Sequence, residues 1–92
     1  MDHAGVVDAV VIGLPDERLG AVPAALVVTN GTEPPDEAEL LETLRQRLPG
    51  YMLPILVLRH DFMPYNAMLK KDRRAIAAML TAERAAREQL AV

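Results

Sequence analysis

The chain alternates apolar runs with polar, turn-forming stretches, and the runs carry two different periods. Val6 to Gly13 is almost unbroken apolar, with four valines and an isoleucine, and it ends in a Gly-Leu-Pro-Asp turn signal. Such a short β-branched run predicts a buried strand. Leu14 to Gly20 reads as a polar connector, in which Asp16 is a turn former, and Ala21 to Thr29 is a second run of valine and alanine closed by Asn30-Gly31. Two strands joined so closely are expected to pair antiparallel. Pro23 has no N–H to give to a ladder, which assigns it to the start of the second strand or to an edge.

The period then changes. After the turn-rich stretch Thr32 to Pro35, Asp36 with Glu39 three residues on forms a capping-box pattern, followed by Leu40, Leu41, Leu44 and Leu48 on one helical face. Acidic residues open this helix (Asp36, Glu37, Glu39) and basic ones close it (Arg45, Arg47), both in the sense that suits the helix dipole. Pro49-Gly50 is the stop signal. Pro54 introduces a third apolar run, Ile55 to Arg59, read as a buried strand. His60 to Lys71 is a long loop. A second helix begins at Arg73 with Ile76, Met79 and Leu80 as its apolar face; past Thr81 its tail is helical by propensity and free to fray. The order strand, strand, helix, strand, helix predicts a small two-layer α+β domain, a three-stranded sheet with helices packed on it.

Size and charge narrow what such a domain does. Ninety-two residues make one small domain that buries a core but forms no deep private pocket, so its function is expected to need a partner surface. Phe62, Tyr51 and Tyr65 are its aromatic residues and the net charge is -3, which argues against nucleic acid and against an anionic membrane. There is no cysteine, and His3 and His60 have no ligand spacing around them, so no metal site is expected. No apolar run reaches the roughly 20 residues of a membrane helix, and the opening Met-Asp-His-Ala lacks a basic start, which points to a cytoplasmic protein.

Candidate chemistry gathers between Met63 and Arg74, read as Met-Pro-Tyr-Asn-Ala-Met-Leu-Lys-Lys-Asp-Arg-Arg. Asp72 suits an N-cap, so the helix starts at Arg73 and Lys70 is left on the loop ahead of it. A loop lysine at the edge of a compact domain is a movable cation suited to a phosphate or carboxylate brought by something else. Lys71 reads as solvated. Arg73 and Arg74 read as first-turn surface residues that oppose the helix dipole, a hint of an anion or partner nearby. Tyr51, Tyr65 and Met68 read as packing residues, and His3 and His60 as inert.

Two signatures and the opening of the chain carry a resemblance. Leu48-Pro-Gly-Tyr-Met-Leu-Pro54 resembles the Leu-Pro-x-Tyr-Met-x-Pro signature of amino-acid adenylation domains in nonribosomal peptide synthetases, members of the adenylate-forming (AMP-binding) superfamily that includes acyl-CoA synthetases. Met63-Pro64 through Lys70-Lys-Asp-Arg-Arg-Ala-Ile76 resembles the family's closing signature, and Pro64 with Asp72-Arg73-Arg74 fixes an ungapped register that puts Lys70 on the catalytic lysine. His3-Ala-Gly-Val6, Asp8 to Gly13 and Pro15-Asp16 to Gly20 are similar to the opening of the family's C-terminal subdomain.

The resemblance implies that residues 1–92 are a swivelling C-terminal subdomain, with the hinge and the N-terminal ATP-binding domain lying outside the sequence. It implies ATP and Mg2+ bound mainly by that N-terminal domain, activation of an amino or other carboxylic acid as acyl-AMP, and hand-over to pantetheine on a carrier protein or to coenzyme A. No cofactor is expected on these residues alone. Partners are then the N-terminal adenylation domain and the carrier protein or CoA. The alternatives are the same subdomain of an AMP-forming acyl-CoA ligase, or a non-catalytic interaction module of this fold. Four positions depart from the family pattern: Met68-Leu69 stands for Asn-Gly, Lys71 replaces an apolar residue, and Ala21 stands where a glutamate is frequent. Glycine at 69 would permit unusual backbone angles close to a nucleotide, and leucine resists them.

Overall fold

A computed structural model describes residues 6–29, 36–47, 49–50 and 53–90. Strands β1 (Val6–Asp16) and β2 (Gly20–Thr29) form a hairpin, helix α1 (Glu37–Arg45) follows, and β3 (Val57–His60) and helix α2 (Arg73–Leu90) complete the domain. Class and element order are those the hydrophobic pattern predicts. The sheet order is β1-β2-β3, with β1 antiparallel and β3 parallel to β2. A parallel pair needs a crossover, and α1 lies within it.

The two helices occupy opposite faces, so the sheet is the middle of three layers where the sequence suggested two. On one face Ile12, Leu14, Val22, Ala24, Leu26 and Val28 pack against Ile76 and Leu80 of α2; on the other Ala25, Val27 and Val57 pack against Leu40 of α1. The cause lies in β2. From Ala24 to Val28 every residue is both apolar and buried, so residues of either parity need a cover. Burial of Ile76 or Leu80, both fully enclosed, contributes roughly 1.5–3 kcal/mol each.

Pro23 sits in the central strand, not at the start or on an edge. It is harmless there because N–H and C=O of a strand residue point to the same side, and its carbonyl faces away from β1 to accept from Ile55 N at 2.8 Å. The missing donor therefore lies on the β3 side, ahead of the regular ladder that begins at Ala25↔Val57. β3 itself starts two residues later than the apolar run does, although Ala25 N already donates to Leu56 O at 3.0 Å.

Helix starts follow the capping pattern. Asp36 accepts from Glu39 N at 2.8 Å, and Asp72 accepts from Ala75 N at 3.1 Å. α1 stops at Arg45, before the Pro49-Gly50 signal, as Arg47 N closes on Leu44 O at 3.0 Å; Leu48, with Tyr51 and His3, lies outside the described residues. α2 runs on to Leu90 with polar ties where apolar ones run out. Arg84 donates to Pro15 O at 3.2 Å and to Asp16 Oδ1 at 2.7 Å. Arg87 donates to Val57 O at 3.1 Å, to Glu83 at 2.7 Å and to Glu37 at the head of α1.

Candidate functional site

Lys70 occupies the end of a small hairpin between β3 and α2. Its base is an isolated antiparallel bridge between Tyr65 and Lys71, and Asp72 N donates to Pro64 O at 2.9 Å just outside it. Inside, Asn66 N donates to Lys70 O at 2.8 Å and Leu69 N to Asn66 O at 3.0 Å. The Asn66 side chain finishes the turn, its Oδ1 accepting from Met68 N at 2.8 Å and from Lys70 N at 3.2 Å. An asparagine in this place gathers two amides that the hairpin leaves over.

Such a turn needs one residue with positive φ, and Leu69 takes it, at φ 62°. The chain thus keeps the backbone form that glycine would supply and adopts it with a leucine, at a cost of roughly 1–2 kcal/mol. The side chain gains nothing in return, being 85% exposed, with Met68 beside it at 76%. Met68 therefore does not pack as the sequence suggested.

The two neighbouring lysines differ. Lys71 is not simply solvated: its Nζ lies 3.4 Å from Asp8 Oδ1, while Tyr65 OH donates to Asp8 Oδ2 at 3.1 Å. The Lys70 residue is exposed, and the carboxylate nearest to it in sequence, Asp72, is engaged with the first turn of α2. Arg73 and Arg74 are exposed on that turn, which carries no acidic residue. Lys70, Arg73 and Arg74 therefore make a cationic, water-facing edge beside the apolar tip Met68-Leu69, and their donors fit an anion. His60 does local work: its Nδ1 lies 3.0 Å from Phe62 O and 3.3 Å from Phe62 N, and the two rings meet edge to face at 4.6 Å. Among the described residues, no three His, Asp or Glu side chains gather as a metal site, and no helix is long and apolar enough to cross a membrane.

Asp16 makes the other organised turn. Its Oδ2 accepts from Arg18 N at 3.1 Å and Leu19 N at 2.9 Å, and the Arg84 guanidinium above all, with those amides, holds its carboxyl below the usual carboxylate range.

Residues 1–70 match the family described as AMP-binding enzyme C-terminal domain. The chain belongs to that family. It is 42% identical over 71 residues, 77% of its length, to CymA of Salinispora arenicola, described as a probable non-canonical nonribosomal peptide synthetase. It is 43% identical over 69 residues, 75% of its length, to a Mycobacterium tuberculosis ligase that joins CoA to a bicyclic dioxo-octahydroindenyl propanoate. A Mycobacterium tuberculosis fatty acyl CoA synthetase superposes on 89% of the chain with a TM-score of 0.74 and 33% identity. The chain spans 1%, 14% and 16% of these three proteins' own lengths. It is thus similar to the C-terminal subdomain of adenylate-forming enzymes of both the peptide synthetase and the acyl-CoA ligase kind.

What sequence reasoning missed around Lys70 is its support. Asp8 lies 57 residues from Tyr65 in the chain, a separation that carries no local signal. The one available clue was Lys71 itself, a charge where an apolar residue is usual.

Proposed function

We propose that this chain acts as the mobile C-terminal subdomain of an ATP-dependent adenylating enzyme, with Lys70 as the catalytic lysine. The observation that supports this reading best is the contrast between the lysines: Lys71 is bound to Asp8, whereas Lys70 is exposed at the end of a hairpin whose backbone is held on both arms. A site of this kind is half a site. Docked over an N-terminal domain that holds ATP and the acid, the Lys70 ammonium meets the carboxylate and the α-phosphate. There a fixed cation stabilises negative charge as the carboxylate oxygen bonds to phosphorus and pyrophosphate leaves. Because the cation is already positioned, little reorganisation is needed at the moment of reaction. Rotation of the subdomain then admits a thiol, which attacks the acyl carbon and expels AMP. We read the acceptor as pantetheine on a carrier protein, with CoA as the alternative; identities of 42% and 43% to one protein of each kind support both.

The test is acid-dependent ATP–pyrophosphate exchange over a panel of amino and carboxylic acids, with the chain added to a matching N-terminal adenylation domain. Exchange that appears only when the chain is present is the expected outcome. Lys70→Ala should lower it by about 100-fold or more, in the range of a lost transition-state donor. Lys71→Ala should lower it by no more than about fivefold, because an exposed ion pair is weak. Equal losses from the two changes, or no loss from either, would remove Lys70 from the role. A second reading, a non-catalytic docking module, draws on the exposed apolar tip Met68-Leu69. It predicts binding to the N-terminal domain without exchange.

A further inference from the structure

β1 is irregular at one place, and that place supplies the carboxylate beneath the Lys70 hairpin. Its register against β2 shifts between Val6 and Asp8, so that Val7 is an extra residue in the strand. The bulge reverses the alternation. Val6 packs on the α1 side with Val11, whereas Asp8 continues the row Val10, Ile12, Leu14 on the α2 side, where the hairpin enters that helix. Without the bulge, a chain that kept Val6 where it packs would turn Asp8 to the other face.

Asp8 then meets the hairpin with both oxygens. Oδ2 accepts from Tyr65 OH at 3.1 Å and Oδ1 faces Lys71 Nζ at 3.4 Å, while Ala9 N, at 2.8 Å from Oδ1, fixes the carboxylate on its own strand. Tyr65 and Lys71 are the two partners of the bridge at the hairpin base. One carboxylate therefore holds both arms of the loop, one residue away from Lys70. It also neutralises Lys71, so the two adjacent ammonium groups do not compete for one anion.

We infer that Asp8, acting through Tyr65 and Lys71, is a positioning residue that fixes the direction in which Lys70 is presented. This rests on the reading of Lys70 as the adenylating lysine. Asp8 touches no substrate in this arrangement; it sets the geometry of the group that does.

The experiment carries the full chain behind the N-terminal part of the Mycobacterium tuberculosis CoA ligase described above, in place of that enzyme's matching segment, with its bicyclic propanoic acid driving pyrophosphate exchange. Asp8→Ala should lower kcat by about five- to tenfold, and Tyr65→Phe and Lys71→Ala by about two- to threefold each, the range of exposed polar contacts. KM for the acid should stay at the starting value, and the melting midpoint should fall by no more than the few degrees that exposed polar contacts are worth. The double change Asp8→Ala with Lys71→Ala should lose no more than Asp8→Ala alone, since both remove one interaction. Amide hydrogen exchange of the 92-residue chain supplies a readout independent of activity. Asp8→Ala should speed exchange at Asn66 and Asp72 and leave Ala25 in the sheet unchanged.

The two possible failures are separable. If Lys70→Ala retains exchange, the reading of Lys70 falls and the inference with it. If Lys70→Ala abolishes exchange while Asp8→Ala keeps full kcat, Asp8 has no positioning role. Losses in kcat that merely follow a falling melting midpoint, or that multiply in the double variant, overturn the inference as well.

Discussion

In the β1–β2 turn the Asp16 carboxylate gathers the amides of Arg18 and Leu19, and the chain leaves through Gly20 at φ 84°. In the hairpin ahead of α2 the Asn66 amide oxygen gathers Met68 and Lys70, and the chain passes through Leu69 at φ 62°. Both turns use a short polar side chain as a clasp and one residue in the left-handed region. They differ in what occupies that region and in what holds the clasp. Gly20 adopts its angle freely, and Asp16 is tied to α2 by Arg84, so the first turn joins strand to helix and serves the fold. Leu69 adopts its angle under strain, with an exposed side chain, one residue before the candidate lysine. Strain persists where the surroundings hold it in place, and here the bridge, Asn66 and Asp8 do so.

Changes that swap the properties of the two turns test this contrast. The largest effect concerns activity. Lys70→Ala should lower pyrophosphate exchange in the two-domain assembly by about 100-fold, whereas Arg18→Ala, which removes the exposed cation of the other turn, should leave it unaltered. Next comes Gly20→Ala. Nothing lies within 4 Å of the Cβ it would add, so the penalty is conformational alone, about 1–2 kcal/mol in urea denaturation. An unchanged midpoint would show that the turn relaxes out of the left-handed region. Leu69→Gly should do the opposite and stabilise the chain by about 1 kcal/mol, near 4–8 °C in Tm for a domain of this size. A loss of stability there would mean that the leucine side chain has a partner in solution.

The smallest effect is a pH dependence confined to the first turn. The Asp16 carboxyl titrates below its usual value because of Arg84 first and the two turn amides after it. A depressed folded-state pKa contributes stability that is complete above the unfolded carboxylate pKa, about 3.9, and is lost as pH falls through the folded value. The unfolding midpoint should therefore decline more steeply below about pH 4 in the wild type than in Arg84→Met, where the main cause is gone. Parallel curves would assign the acid sensitivity to other carboxylates. Asn66, an amide, adds no such slope to its own turn.

Much of this architecture is legible in the sequence because its signals are local. The valine runs gave β1 and β2, and the Asp36 and Asp72 caps gave both helix starts. Three features escaped for physical reasons. The apolar face of α2 ends near Leu80, so its last turns looked unsupported; they are held by Arg84 and Arg87, whose partners Pro15 and Glu37 lie 69 and 50 residues away. The layering was written in the unbroken burial from Ala24 to Val28, where both parities are apolar, but that run reads equally as a strand with one dominant face. Leu69 argued against a positive φ on intrinsic preference, and the surrounding hydrogen bonds override it.

The mixed pairing of the sheet also orders events in time. β1 and β2 meet across a three-residue turn, Glu17 to Leu19, so their contacts are local and close early; β3 joins β2 only after the chain has travelled through α1. Loop closure over that longer path comes later and more slowly. The Lys70 hairpin follows β3 in the chain yet leans on Asp8, near the start of β1, so its final form waits on a completed sheet. The Lys70 end of the domain is thereby the last part to mature, and a chain caught half-folded lacks the ordered hairpin that carries this lysine.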